Sequence, residues 1–241
     1  MCACSLTFLI DSGLGVMKMT KEQNVPGERD ICFFGTVTAS ISHEIKNVLT
    51  TINETAGLLD DFAFQAQRAE SELDPSRARD AAAAIARNVR RADGIVRNLN
   101  RFAHSTDRSR AVIELGDLLN LFSNLAARLA ANRGARLQVT NELGDLKVLT
   151  APFSLLHLLW RSLEFVLVDM GAAGQIQLRV SATAGENSVG QQMELIWENS
   201  TKEAMGSVAD FPGEIERGLL ERLPGLCQLR QEKDRIVLLL G

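Results

Sequence analysis

Apolar side chains return every third or fourth position from Phe34 through Val37, Ile41, Ile45, Val48, Ile52 and Leu59 to Phe62. That spacing lines them along one side of a long α-helix, and a stripe of that length must be covered by another part of the chain or by a second copy. A cover follows directly. Leu73-Asp74-Pro75-Ser76 breaks the pattern, with Asp74 placed to cap a new helix and Pro75 at its first position, where a missing N–H is tolerated. The second helix runs to about His104, with a stripe of Ile85, Asn88 or Val89, Ala92, Ile95 or Val96, Leu99 and Phe102. Two helices side by side leave half of each stripe wet. Burial of each large apolar side chain contributes roughly 1.5–3 kcal/mol, so a second hairpin is needed, and the expectation is a homodimer with an intermolecular four-helix bundle.

The opposite face of the first helix is polar and lightly built: His43, Asn47, Thr50, Glu54, Gly57 and Asp61. At roughly 100° per residue, His43 points about 200° away from Ile41 or Ile45 and so out of the seam. A solitary surface histidine usually does nothing, but here the neighbours supply chemistry. Glu44 can accept the N–H of one ring nitrogen, fix the tautomer and leave the other nitrogen free to attack. Asn47, one turn on, can orient a water or a phosphoryl oxygen. The short side chains below the imidazole leave room for another protein.

Ser42-His43-Glu44-Ile45-Lys46-Asn47-Val48-Leu49-Thr50 resembles the H-box of bacterial two-component histidine kinases, usually worded S-H-E-[IL]-[KR]-[NT]-P-L-T. Val48 stands where that family commonly has proline, a change that removes a kink and leaves the chemistry. The run from Arg91 to Ala103 is similar in pattern to the second helix of the family's dimerisation and phosphotransfer domain. The resemblance implies that His43 accepts a phosphoryl group, with Glu44 and Asn47 as its catalytic companions. It also implies that Thr50, Asn53, Glu54 and Gly57 form a docking surface for response-regulator receiver domains.

After a linker near Ser105 to Ala111 the pattern changes to alternating elements. A helix over Leu115–Asn132 ends before Gly134, strands follow at Arg136–Thr140 and Leu146–Leu149, and Pro152 opens a leucine-rich helix that stops at Gly171. Strands at Ile176–Ser181 and Met193–Trp197 flank a hairpin loop at Gly185–Gly190. A helix at Glu214–Leu223 and strands at Leu226–Leu229 and Arg235–Leu240 complete the order αββαββαββ. This order is similar to the ATP-binding sandwich of the same family. The expected fold class is therefore α plus α/β: residues 1–30 an N-terminal extension, 31–107 the phosphotransfer hairpin, and 112–241 a histidine-kinase-like ATPase domain.

The nucleotide site of that domain is expected to be degenerate. The stretch from Leu158 to Met170, where the family places a Mg²⁺-ligating asparagine, contains none; Arg161 or Phe165 would stand there, one repelling a cation and the other offering no oxygen. Glu164 or Asp169 offers oxygen to a metal, but both are more economically read as exposed helix residues. Glu198 replaces the family's adenine-pocket aspartate, the glycines that should follow it are missing, and 200–212 is short for a phosphate-covering lid. Gly13-Leu14-Gly15 has no strand before it and is a negligible phosphate loop.

With 46% hydrophobic and 23% charged residues in 241, the chain has the composition of a folded globular protein. A net charge of -4 argues against a dedicated nucleic-acid binder, although Arg77, Arg79, Arg87, Arg90, Arg91, Arg97, Arg101, Arg108 and Arg110 load the second helix and its exit. Those arginines are either a solvated face or a basic surface that meets an acidic partner. No window suits a membrane span, the N-terminus lacks a signal-peptide pattern, and Cys2, Cys4, Cys32 and Cys227 lack zinc-like spacing, which together point to a cytoplasmic protein with reduced thiols. Fewer than about thirty residues precede the first helix, too few for an input domain, so the signal is expected from another protein. His104 is read as complementing its helix end, His157 as a helix-face residue without a ligand role, and Trp160 and Trp197 as core.

The expected function is that of a histidine phosphotransferase, carrying a phosphoryl group between receiver aspartates through His43, with an upstream hybrid kinase as one source. No cofactor or metal is held by the chain itself, Mg²⁺ coming from the receiver. The alternatives are a divergent ATP-dependent histidine kinase and a non-catalytic receiver-binding protein.

Overall fold

The long apolar stripe becomes α1, Glu28–Arg68, and its cover becomes α2, Pro75–His104, in the computed structural model of the chain. The structure describes residues 27–170, 174–185, 188–199, 211–224, 226–232 and 235–240. Expectations for Cys2, Cys4, Gly13-Leu14-Gly15 and the segment 200–210, and for the side chains of Trp197, Glu198 and Cys227, lie outside the described residues. α1 starts at Glu28, inside the extension expected to reach residue 30. Its first turn carries Glu28 and Asp30 at the positive end of the helix dipole. Asp74 caps α2 as expected, accepting the Ser76 N–H at 2.8 Å.

The helices run antiparallel, and three contacts fix their register. Phe34 stacks on Phe102 with centroids 5.2 Å apart, Arg91 Nη2 donates to Glu44 Oε1 at 3.0 Å, and the Arg77 guanidinium lies 5.2 Å from the centre of the Phe62 ring. Cover within one chain is incomplete. Phe33, Val37, Ile41 and Val48 are buried, whereas Leu49, Val89 and Val96 are 55%, 51% and 41% exposed.

The linker ends sooner than expected. Ala111–Glu114 is a strand, β1, that sequence reading missed; it pairs antiparallel with β3, Lys147–Thr150, as a two-stranded sheet separate from the main one. α3 (Leu115–Asn132) then closes at Gly134, whose φ of 70° suits glycine. The main sheet has the order β2-β4-β5-β7-β6, formed by Arg136–Asn141, Gly174–Gly185, Ser188–Asn199, Arg235–Leu240 and Leu226–Glu232. Among the described strands only the β2–β4 pair is parallel. β4 and β5 are twelve residues each and stay paired out to Gly185 and Ser188, so most of the expected Gly185–Gly190 loop is strand.

α4 (Pro152–Asp169) is apolar nearly all round and correspondingly buried, packed against the sheet side chains Ile176, Leu178, Met193 and Leu195 on one side. On the other it meets the hairpin. Phe33 from α1 lies edge-on to Phe102 of α2 at 5.6 Å, tilts against Phe153 at 5.4 Å and stacks flat on His157 at 4.3 Å. One hydrophobic core therefore runs from the hairpin into the sandwich without a break. α5 (Glu214–Glu221) completes the helical layer against α4.

Candidate functional site

His43 sits about midway along α1 with its ring in solvent, and among the described residues it has no hydrogen-bond partner. Asn47, Thr50, Asn53, Glu54 and Gly57 follow it down the helix, all exposed. A Cβ added to Gly57 would meet nothing within 4 Å, so nothing inside the chain requires glycine there. The arrangement is one open face, built by helical periodicity alone.

Glu44 departs from the expected geometry. Its carboxylate reaches across to Arg91 on α2 and is about a quarter exposed, with 27% of the side chain accessible, so it is held by a guanidinium and not by the neighbouring imidazole. It still places negative charge one residue from His43. Arg91 offsets part of that charge and is the member of the site that the sequence did not single out.

The cleft where a nucleotide would be expected holds about 570 Å³ between α3, α4 and the start of α5. The charged groups on its α4 wall are already answered from within. Arg161 donates to Glu216 Oε1 and Glu164 Oε2, both at 2.9 Å, and Trp160 donates to Glu164 Oε1 at 3.0 Å. Burial alone would pull the Arg161 guanidinium down, but the bond and charge of Glu216, followed by those of Glu164, raise it above its ordinary value. Glu164 is thus half-buried and doubly bonded, which corrects its reading as an exposed residue. Phe165 tilts against Phe211 at 4.6 Å. A guanidinium locked in two ion pairs and a phenyl ring do not fit a nucleotide's metal. No group of three or more His, Cys, Asp or Glu suited to a metal occurs among the described residues.

His157 is 3% exposed and far from a bare helix-face residue. Its Nδ1 lies 3.1 Å from Asp30 Oδ1, while Arg222, at the end of α5, donates to Asp30 Oδ2 at 2.6 Å. Burial would raise the Asp30 carboxyl; hydrogen bonds from Arg222 and His157 outweigh it and hold the group below its ordinary value. Burial likewise holds the imidazole below its own, against the pull of Asp30, so His157 is neutral and its Nδ1–H donates to the carboxylate. The sequence carried one signal for this cluster: Asp30 lies in phase with Phe33, Phe34 and Val37, a charge on the apolar stripe. His104 ends α2 as expected, with Nδ1 2.8 Å from Asp107 Oδ2, and Trp160 is core. Cys32 is a free, exposed thiol. Among the described residues no helix is long and apolar enough to cross a membrane.

The sequence matches no family model, and no curated protein matches it. Among solved structures the chain is similar to a bacterial phosphotransferase, at 16% identity over 91% of this chain and 99% of that one, with a TM-score of 0.43. It is similar to the Acinetobacter baumannii histidine kinase AdeS at 9% identity, over 83% and 97% of the two chains, with a TM-score of 0.40. A third is histidine kinase ThkA in complex with response regulator protein TrrA, at 12% identity over 88% of this chain and 63% of that one, with a TM-score of 0.38. At identities of 16% and below the similarity is one of fold.

Proposed function

We propose that this protein is a histidine phosphotransferase of a two-component phosphorelay, working in the cytoplasm as a homodimer. The observation that carries the reading is the exposed His43 imidazole on a face of short polar side chains, with the uncovered apolar half of the hairpin on the other side. Leu49, Val89 and Val96 supply that apolar half, and a second hairpin laid over them closes a four-helix bundle without touching His43.

A neutral His43 attacks the phosphorus of a receiver's aspartyl phosphate in line. The nitrogen–phosphorus bond forms as the acyl phosphate's phosphorus–oxygen bond breaks, and the aspartate leaves as carboxylate. The ring becomes cationic, and the Glu44 charge beside it favours that state. Transfer to a second receiver reverses these bonds, with Mg²⁺ supplied by the receiver. Thr50, Asn53, Glu54 and Gly57 carry the docking, Asn47 positions the phosphoryl oxygens, and a hybrid kinase upstream is the source of phosphate. Because metal and acceptor arrive with the partner, a sandwich that holds no nucleotide is compatible with turnover.

The test is a phosphotransfer profile against every receiver domain of the host, with wild-type and His43→Ala protein side by side. Transfer by the wild type alone is expected. Label appearing on His43 from ATP, with no receiver present, would make the protein a divergent kinase; transfer to no receiver would leave a binding protein.

A further inference from the structure

α4 is apolar on more sides than the sheet and the hairpin cover. Phe165 and Val168, three residues apart and so on one helix face, line the cleft of about 570 Å³. Leu129 of α3, with Phe211 and Ile215 beside the start of α5, completes an apolar wall. Four of these side chains are half-buried, and Val168 is 48% exposed. Interiors are otherwise packed without large voids, and a concavity of this size falls in the range of roughly 300–1,000 Å³ met in small-molecule sites.

The charges around this wall narrow what it can hold. Arg161 is bound to Glu164 and Glu216, and Glu214 faces Arg29 at 3.9 Å. Among the described lining residues Arg133, at the end of α3, is the one charged side chain that meets no opposite charge. The positive end of α5 is not free either, because the Gly213 N–H donates to Glu216 Oε2 at 2.9 Å. The lining as a whole sets two guanidinia against three carboxylates. A single negative charge placed at Arg133 is therefore answered, and further ones are repelled. A triphosphate meets the wrong field, whereas one carboxylate matches the planar fork of one guanidinium.

We propose that this cleft is a binding site for an amphipathic monocarboxylate, whose apolar body lies against Phe165, Val168 and Phe211 and whose carboxylate meets Arg133. The inference goes beyond the phosphotransfer reading and does not rest on it. It gives the sandwich a ligand of its own, of a chemistry opposite to that of a nucleotide: one charge where a nucleotide has several, and a body without polar edges.

The experiment titrates submicellar decanoate into the full chain by calorimetry, beside decanol, its uncharged counterpart, and naphthoate, which replaces the chain by a flat body. Saturable binding of a carboxylate at one site per chain is expected, tighter than that of decanol, and the tighter of the two carboxylates identifies the body. Arg133→Gln should weaken the carboxylate about tenfold, as for a lost hydrogen bond to a charged group, and leave decanol unchanged. Arg133→Lys should restore most of the affinity. Val168→Trp, which fills the cleft from an exposed position, should abolish binding of all three. Both positions are exposed, so the thermal midpoints of the variants should match that of wild type. No saturable binding of either carboxylate overturns the proposal. Decanol bound as tightly as decanoate, or weakened equally by Arg133→Gln, removes the role of the guanidinium and overturns it too. Binding untouched by Val168→Trp places the ligand elsewhere, and ATP or ADP bound as tightly as the carboxylates, with or without Mg²⁺, would return the cleft to nucleotides; each defeats the inference.

Discussion

The outer face of the hairpin and the helical layer of the sandwich use the same residue types to opposite ends. His43 stands in water with its ring unbonded among the described residues, while His157 is 3% exposed, stacked on Phe33 and bonded to Asp30. Arg87 and Arg90 meet no carboxylate among the described residues, while Arg161 and Arg222 are fixed against Glu164, Glu216 and Asp30. Charge that is buried must be answered inside the chain, because leaving it unpaired costs several kcal/mol. Charge that faces water is free to be answered by something else. Substitutions in the two regions should accordingly fail in different assays.

The largest expected effect is functional. His43→Ala should lower phosphotransfer by more than about a thousandfold, the range met when a nucleophile is removed. Its unfolding free energy in urea should stay within about 0.5 kcal/mol of wild type, as for an exposed residue without partners. A His43→Ala protein that melts early would erase the contrast.

The reverse case is Asp30→Ala. It strips the carboxylate from a buried His157 and a half-exposed Arg222, and a loss of about 3 kcal/mol in urea unfolding is expected, at the lower end for a buried pair because Arg222 keeps access to water. Transfer by the fraction that remains folded should be normal, since Asp30 lies more than three helical turns before His43.

These two regions were not equally legible. The hairpin could be read because its signals are local: a period of three and four, a cap at Asp74 and proline at the first position all act within one turn. β1 could not. Ala111–Glu114 is four residues abutting a helix, and it becomes a strand only by pairing with β3, more than thirty residues on. The outer ends of β4 and β5, Ala182–Gly185 and Ser188–Gln192, lack alternating large apolar residues, so their pairing left little trace. The Asp30–His157–Arg222 cluster joins positions 127 and 192 apart, which no periodicity spans. On the hairpin the sequence reading placed His43 outward but sent Glu44 to the wrong partner. Adjacent helix positions diverge by about 100°, and a long side chain reaches the neighbouring helix more readily than the residue beside it.

Acid should sharpen the contrast from the buried side. Burial holds the folded His157 below its unfolded value of 6.5, so as pH falls through 6.5 the unfolded chain takes the proton first. Stability from this group is complete above 6.5 and declines between 6.5 and the lower folded value. Asp30 adds a second decline, since its folded value is below 3.8 and the unfolded carboxyl protonates first as pH passes 3.8. Both losses have the same sign. Thermal midpoints measured from pH 8 downward should begin to fall near 6.5, and His157→Gln should remove that first step while keeping the second. A first step that survives His157→Gln would place the titrating group elsewhere.

The smallest effect tests whether the open face is left open for a partner. Gly94 is helical, and an added methyl group would touch nothing within 4 Å. Gly94→Ala should therefore stabilise the chain by about 1 kcal/mol, the ordinary difference in helix propensity. A larger side chain, as in Gly94→Gln, starts from the same open Cβ position and should also fold at least as well as wild type. If a partner approaches α2 closely, the two variants part company in transfer: alanine keeps most of the rate, while glutamine raises KM for the receiver and leaves phosphoramidate loading of His43 untouched. Equal KM values for glycine, alanine and glutamine would mean that the partner never comes that near, and the docking would then belong to α1 alone.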